Sequence, residues 1–209
     1  KDPRHNDRPQ RWFFRNVLHL AGVRFRIRYA REFDPRRTAL FICNHVNLFD
    51  PMVIYSAIPQ FVRGMELESH FKLPAYGWMV GKFGNIPVPQ KHGKEEMREL
   101  ARRIRAALDD GTSVIVFAEG HRTPDGRVHE FLPGVGLIAL RSGAPVIPAA
   151  MKGTVLIKLD GRPPYRLLVR LLAGPPVALD DLEGRGSRVY AVAARRMMVK
   201  CSILSFSLR

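Results

Sequence analysis

The run TALFICNHVNLFDP, Thr38 to Pro51, passes from an unbroken apolar segment through a polar loop into a helix start. Six consecutive residues without a charge, Thr38 to Cys43, suit a strand covered on both faces, the pattern of parallel sheets. Asp50 is read as the N-cap of the following helix, with Pro51 in its first turn, and the helix extends to Ile58. Strand, short loop and helix in that order form the repeating unit of an α/β sheet.

The same alternation continues in both directions. Phe61 to Met65 reads as a strand, Phe71 to Phe83 as a Gly- and aromatic-rich helical stretch, and Ile86 to Val88 as a short strand. Lys94 to Leu108 is the clearest helix. Met97, Leu100, Ala101, Ile104 and Leu108 form one stripe, and Asp109-Asp110-Gly111 ends it. Ser113 to Phe117 (SVIVF) is a second buried strand, followed by a helix at Gly134 to Leu140 and strands at Ala144 to Met151 and Tyr165 to Ala173. Arg188 to Val199 reads as a last amphipathic helix. These elements give an α/β class: a single domain with a largely parallel mixed sheet flanked by helices, and function at the strand ends.

Towards the N-terminus, Lys1 to Arg11 reads as a flexible lead-in. Trp12, Phe13, Phe14, Val17, Leu18 and Leu20, with Arg11 and Arg15 between them, suit a helix lying at a membrane interface or one packed on the core. Val23, Phe25, Ile27 and Tyr29 alternate with Arg24, Arg26 and Arg28, so this strand has one apolar and one basic face. Residues 1–22 are therefore taken as lead-in and interfacial helix, and residues 23–209 as the main domain.

The 209 residues carry 34 Lys and Arg against 19 Asp and Glu, a formal charge of +15, with 46% hydrophobic residues. That composition excludes wholesale disorder, and no apolar run approaches the ~18 residues of a membrane-spanning helix. The charge calls for a polyanion: nucleic acid, an anionic membrane surface or phosphorylated molecules. No helix-turn-helix, zinc-finger or RNP-like pattern is present, so nucleic acid is not expected as a partner. Cys43 and Cys201 do not form a disulfide framework, which favours a reducing compartment. The chain starts at Lys1 rather than Met, which leaves open a targeting or membrane segment upstream.

Two strand ends carry candidate chemistry. After the first buried strand, Asn44-His45-Val46-Asn47-Leu48-Phe49-Asp50 puts an imidazole and a carboxylate on one tight turn. The carboxylate would fix the tautomer, and the other ring nitrogen would take a proton from a hydroxyl. No nucleophilic Ser or Cys stands between them, which favours direct base catalysis over a covalent intermediate. Seven His and ten Asp in 209 residues give one such spacing by chance in roughly a third of sequences, so the pair alone is weak. After SVIVF, Glu119-Gly120-His121-Arg122-Thr123 suits a phosphate or polar head-group, since Gly permits close approach and Arg gives bidentate contacts. The His and Cys residues show no metal-ligand spacing and no Walker-type loop occurs, so no metal site is expected.

In order, these blocks resemble the glycerolipid acyltransferase family, which includes 1-acylglycerol-3-phosphate acyltransferases. Asn44, His45 and Asp50 match its Asn-His-x4-Asp block. Phe117 to Thr123 (FAEGHRT) matches its Phe-Pro-Glu-Gly-Thr-Arg block, and Ala144 to Pro148 (APVIP) its Val-Pro-Val-Ile-Pro block. FLPGVGLIAL is similar to the family's connecting helix, and the likeness runs from about Gly22 to Gly174.

The resemblance implies a glycerol-3-phosphate acyltransferase-like fold and transfer of an acyl group to a lysophospholipid, first of all 1-acylglycerol-3-phosphate. His45 would be the general base, oriented by Asp50, with acyl-CoA or acyl-carrier protein as co-substrate and no cofactor. Asn44, Glu119, Gly120 and Arg122 would contact substrate, Arg122 at the acceptor phosphate, and Pro148 would shape the donor side. Tyr76, Trp78, Met79 and Phe83 would line an acyl-chain groove or pack in the core. Where the family carries a phosphate-binding Arg this chain has Gln90, with Lys91 next to it as the substitute; Gln does not replace a guanidinium charge. Ala118 and His121 are further departures. The expected setting is the cytoplasmic face of a membrane, held peripherally by Arg11, Arg15 and the Arg24/Arg26/Arg28 face.

Overall fold

The computed structural model describes residues 2–90, 93–123, 125–154, 167–182 and 186–208. One sheet of seven strands organises them: β1 (Val23–Tyr29), β2 (Leu40–Cys43), β3 (Val62–Leu67), β4 (Ile86–Val88), β5 (Ser113–Phe117), β6 (Val146–Lys152) and β7 (Leu167–Ala173). Their spatial order is β1-β7-β6-β2-β5-β3-β4, and every pair is parallel except β6 with β7. The helices are α1 (Asp7–Leu20), α2 (Asp50–Ala57), α3 (Tyr76–Lys82), α4 (Lys94–Asp109), α5 (Pro133–Ser142) and α6 (Ser187–Ser207).

The all-apolar β2 is buried on both faces, as the unbroken run requires. Phe41 and Cys43 point into a core shared with α1 and α2; Leu40 and Ile42 point into a second core under α4, α5 and α6. The chain leaves β2 through α2 on one face, towards β3. It leaves the neighbouring β5 through α5 on the other face, towards β6. Connections that diverge from adjacent parallel strands open a crevice at their C-terminal ends. Both loops singled out from sequence start there.

Three segments depart from the sequence expectations. The lead-in is structured: a 3-10 turn covers Pro3–Asn6, and α1 starts at Asp7 rather than Trp12. Arg63 on β3 holds it. Its guanidinium is 3.7 Å from the Phe61 ring centre, 3.2 Å from Asp7 and 3.1 Å from the Pro3 carbonyl, with the residue 1% exposed. Burial pulls this guanidinium's pKa down, and the Tyr55 and Asp7 charges partly offset that.

Secondly, the Phe71–Phe83 stretch is not one helix. A 3-10 turn at Glu68–Lys72 precedes α3. The turn between them brings Gly77 so close to the Phe71 carbonyl that a Cβ would lie 2.1 Å from its oxygen, so no larger residue fits. Thirdly, the charges expected to grip lipid are arranged differently. Arg11 donates to the Tyr55, Ile58 and Gln60 carbonyls at the end of α2 and pairs with Asp7 at 2.7 Å, so it braces two helices instead of facing lipid. Val23, Phe25 and Ile27 of β1 pack towards α1 and α2, so Arg24, Arg26 and Arg28 project from the opposite side of the sheet.

Helix α1 packs on the core through one side and leaves large apolar residues exposed on the other. Phe14 and Leu18 are buried in the α1–α2 core, each burial being worth ~1.5–3 kcal/mol. On its outer side Trp12 is 68% and Leu20 81% exposed.

Candidate active site

The β2–α2 loop is built around one buried carboxylate. Asp50 Oδ2 accepts from the Val46 N–H at 2.6 Å, the Asn47 N–H at 2.7 Å and His45 Nδ1 at 2.9 Å. Asp50 is 0% exposed. It is not the N-cap of α2. Phe49 occupies that position, and the Asp50 side chain folds back over the loop that precedes it. A carboxylate can only accept, so Nδ1 carries the proton and Nε2 keeps its lone pair. Nε2 makes no hydrogen bond among the described residues. The ring lies flat on Phe117, centroids 4.1 Å apart and planes 22° apart. An imidazole held at one nitrogen, stacked on one face and free at the other nitrogen is positioned to remove a proton from a substrate hydroxyl.

The β5 loop lies directly alongside. Backbone pairing continues past the strands through Ala118 N–H to the Cys43 carbonyl at 3.1 Å. The Thr123 N–H donates to the His45 carbonyl at 2.8 Å, and the Thr123 hydroxyl lies 3.1 Å from the same oxygen. Gly120 has φ +73°, and a Cβ there would sit 2.5 Å from Leu132 Cδ1, so the turn after β5 requires Gly. Glu119 is 1% exposed, and neither carboxylate oxygen makes a well-formed hydrogen bond. Burial pushes its carboxyl above the usual range. Thr123, His129 and the backbone amides of His45 and His129 offset this only in part. His121 and Arg122 are exposed and make no ion pair among the described residues.

The remaining sequence candidates fall elsewhere. Asn44 is fully buried: its amide donates to the Met151 carbonyl at 3.0 Å and accepts from the Met151 N–H at 2.8 Å. It extends the β2–β6 ladder by one rung and sets the position of His45 from below. Its amide is occupied by backbone at both ends, so the expected substrate contact becomes a structural one. Pro148 lies inside β6 opposite Ile42, and its carbonyl accepts from Gly174 at 2.8 Å, which also makes it part of the sheet rather than a groove wall. Lys91 lies outside the described residues. Of the proposed groove residues, Trp78 is 70% exposed, while Phe83 packs edge-on against Phe14 at 5.9 Å. Two residues not singled out from sequence matter: Phe117, which supports the imidazole, and Thr123, which joins the loops. The alternation in SVIVF put Phe117 on the same face as His45 and could have revealed the first. Among the described residues no cluster of His, Cys, Asp or Glu could hold a metal ion.

The model of the acyltransferase family matches residues 24–152, more than half of the chain. The chain belongs to this acyltransferase family. Among its relatives is the 1-acyl-sn-glycerol-3-phosphate acyltransferase of Pseudomonas aeruginosa, 24% identical over 177 residues, 85% of this chain and 67% of that protein. The Haemophilus influenzae protein of the same name is 27% identical over 157 residues, covering 74% of this chain and 64% of its own length. A chloroplastic form from Brassica napus, BAT2, is 28% identical over 122 residues, and the chain spans 35% of it. The fold is shared with PlsC, the 1-acyl-sn-glycerophosphate acyltransferase of Thermotoga maritima: TM-score 0.70 at 20% identity, over 95% of this chain and 80% of that one. In this acyltransferase the matched segment runs from the start of β1 to the end of β6 and contains both loops of the site.

Proposed function

We propose that this acyltransferase moves a fatty acyl group from a thioester, acyl-CoA or acyl-carrier protein, to the free hydroxyl of a lysophospholipid. 1-Acylglycerol-3-phosphate is the first choice of acceptor, and phosphatidate the product. The observation that carries the proposal is the His45 imidazole, anchored at Nδ1 by buried Asp50 and unoccupied at Nε2. Nε2 takes the acceptor's hydroxyl proton as its oxygen attacks the thioester carbonyl. The tetrahedral adduct then collapses, breaking the C–S bond, and the imidazolium returns the proton to the departing thiolate. Arg122 contacts the acceptor phosphate and Glu119 and Gly120 shape its seat, with Lys91 as a further cation. The names of the relatives support this choice of acceptor.

The expected attachment is peripheral, on the cytoplasmic face of an anionic membrane. Trp12, Leu20 and Arg8 share the outer side of α1, and each basic residue at such a surface contributes about 1 kcal/mol. Among the described residues no helix is long and apolar enough to cross a membrane. Salt-sensitive sedimentation with anionic but not neutral vesicles is the expected behaviour; binding indifferent to both salt and lipid charge would contradict it.

An acyl-transfer screen of both donor types against a panel of lyso-lipids tests the function. Highest turnover with 1-acylglycerol-3-phosphate is expected, and no transfer to any lyso-lipid would overturn the proposal.

A further inference from the structure

A groove of about 840 Å³ lies where the last turns of α1 meet the edge strand β1, lined by Arg15, Asn16, His19, Val23, Arg24, Phe25, Arg26 and Leu168. Three features give it a chemical preference. Its ionisable lining is wholly basic: three arginines and a histidine, with no acid. Arg24 and Arg26 make no ion pair among the described residues, whereas Arg15 is steadied by donating to the Ser56 carbonyl at 2.9 Å. Its volume falls in the range of small-molecule sites and is far larger than one phosphate requires. Val23, Phe25 and Leu168 add apolar surface against which a flat ring can rest.

Its place in the sheet links it to His45. β7 and β1 run antiparallel to the other strands, so the start of β1 lies at the same end of the sheet as the end of β2. The groove wraps the edge strand: Arg15, His19, Val23 and Phe25 lie on the sheet face covered by α1 and α2, on which His45 is seated, and Arg24 and Arg26 reach it from the other side of β1. β1 is three strands from β2, roughly 14 Å across the sheet at ~4.8 Å per strand. The register sets Arg24 about three residues, roughly 10 Å, beyond the level of His45, so the span is about 17 Å. A pantetheine arm in extended form covers that distance.

We propose that this α1–β1 groove is the subsite for the nucleotide end of a coenzyme A thioester: phosphorylated adenosine and pyrophosphate held by Arg15, His19, Arg24 and Arg26, with the arm running along the sheet end to His45. The proposal rests on the acyl-transfer function above and makes acyl-CoA a donor this chain recognises directly. Carrier-bound acyl groups lack the adenosine 3′-phosphate and pyrophosphate, so they do not engage the groove.

The test uses the full chain and the Arg24→Gln/Arg26→Gln variant, with Arg102→Gln on α4 as a charge control remote from the groove. Coenzyme A and 3′-dephospho-coenzyme A are titrated by calorimetry, and KM is measured for acyl-CoA, acyl-carrier protein and the lyso-lipid. Loss of charge-assisted phosphate contacts predicts a KM for acyl-CoA raised about tenfold or more, with coenzyme A affinity falling in parallel and by a larger factor than that of the dephospho form. KM for acyl-carrier protein and lyso-lipid stays within about twofold, and Arg102→Gln changes none of them. Unchanged coenzyme A affinity in the double variant overturns the proposal. So does a defect confined to vesicle binding, which would make the groove a lipid head-group site. Coenzyme A binding that is lost in the variant, in a wild-type chain that transfers no acyl group, would contradict the acyl-transfer function while leaving the groove assignment standing.

Discussion

The two loops that end β2 and β5 both bury a carboxylate, and they treat it in opposite ways. Asp50 accepts three hydrogen bonds on Oδ2, all from the residues just before it, and all 2.6–2.9 Å long. Glu119, as deeply buried, makes no well-formed hydrogen bond on either oxygen. The nearby Thr123 hydroxyl and the His45 and His129 amides offset its burial only in part, and Arg122 stands exposed without an ion pair among the described residues. The first loop anchors its acid through one oxygen and leaves the other, Oδ1, unpaired. The second has a weakly balanced acid inside and a cation free of ion pairs outside. The proposed function assigns the chemistry to the first, preorganised loop and recognition to the second, incomplete one.

That contrast yields effects of graded size. His45→Ala removes the proposed base from the first loop, so kcat should fall by roughly a hundred- to ten-thousand-fold. The melting temperature should fall only modestly, since Asp50 keeps its two backbone donors when the imidazole is removed. A kcat within tenfold of wild type would break the comparison at its strongest point. Arg122→Gln acts on the incomplete loop. It should raise the acceptor KM by about tenfold with the donor KM unchanged, the signature of a binding contact. An effect on donor KM alone would put Arg122 on the other side of the reaction.

The smallest effect is on stability. Glu119 has a raised folded-state pKa, so its contribution to stability is present below the ordinary Glu range and is lost as pH rises through the folded value. Glu119→Gln should therefore melt above wild type at pH 8, with the gap closing towards pH 4, while acceptor binding weakens. A wild type that melts above the variant at pH 8 would mean that the carboxylate has a partner in the folded chain.

Much of this organisation could be read from residue patterns because its causes are local. TALFIC and SVIVF are apolar throughout, the α4 stripe recurs at helical spacing, and β1 alternates with period two. Each therefore appears within a residue or two of its expected place. The His45–Asp50 contact was legible for the same reason, since it closes within one turn. What pattern did not show depends on distant parts of the chain. Arg11 looked like a lipid-facing cation because its three carbonyl partners are more than forty residues away, at the end of α2. Asn44 looked like a substrate ligand because Met151, which occupies its amide, lies on β6. Capping a helix is the usual task of Asp before Pro, but the Asp50 carboxylate points the other way, onto the loop that precedes it.

The central claim is that Asp50 acts through His45. A double-mutant cycle on kcat with His45→Ala and Asp50→Asn tests it most directly. The account predicts that Asp50→Asn alone lowers kcat by roughly a hundredfold or more, and that adding it to His45→Ala costs no more than about twofold further. Full multiplicative loss in the double variant would contradict that coupling and give Asp50 a role of its own.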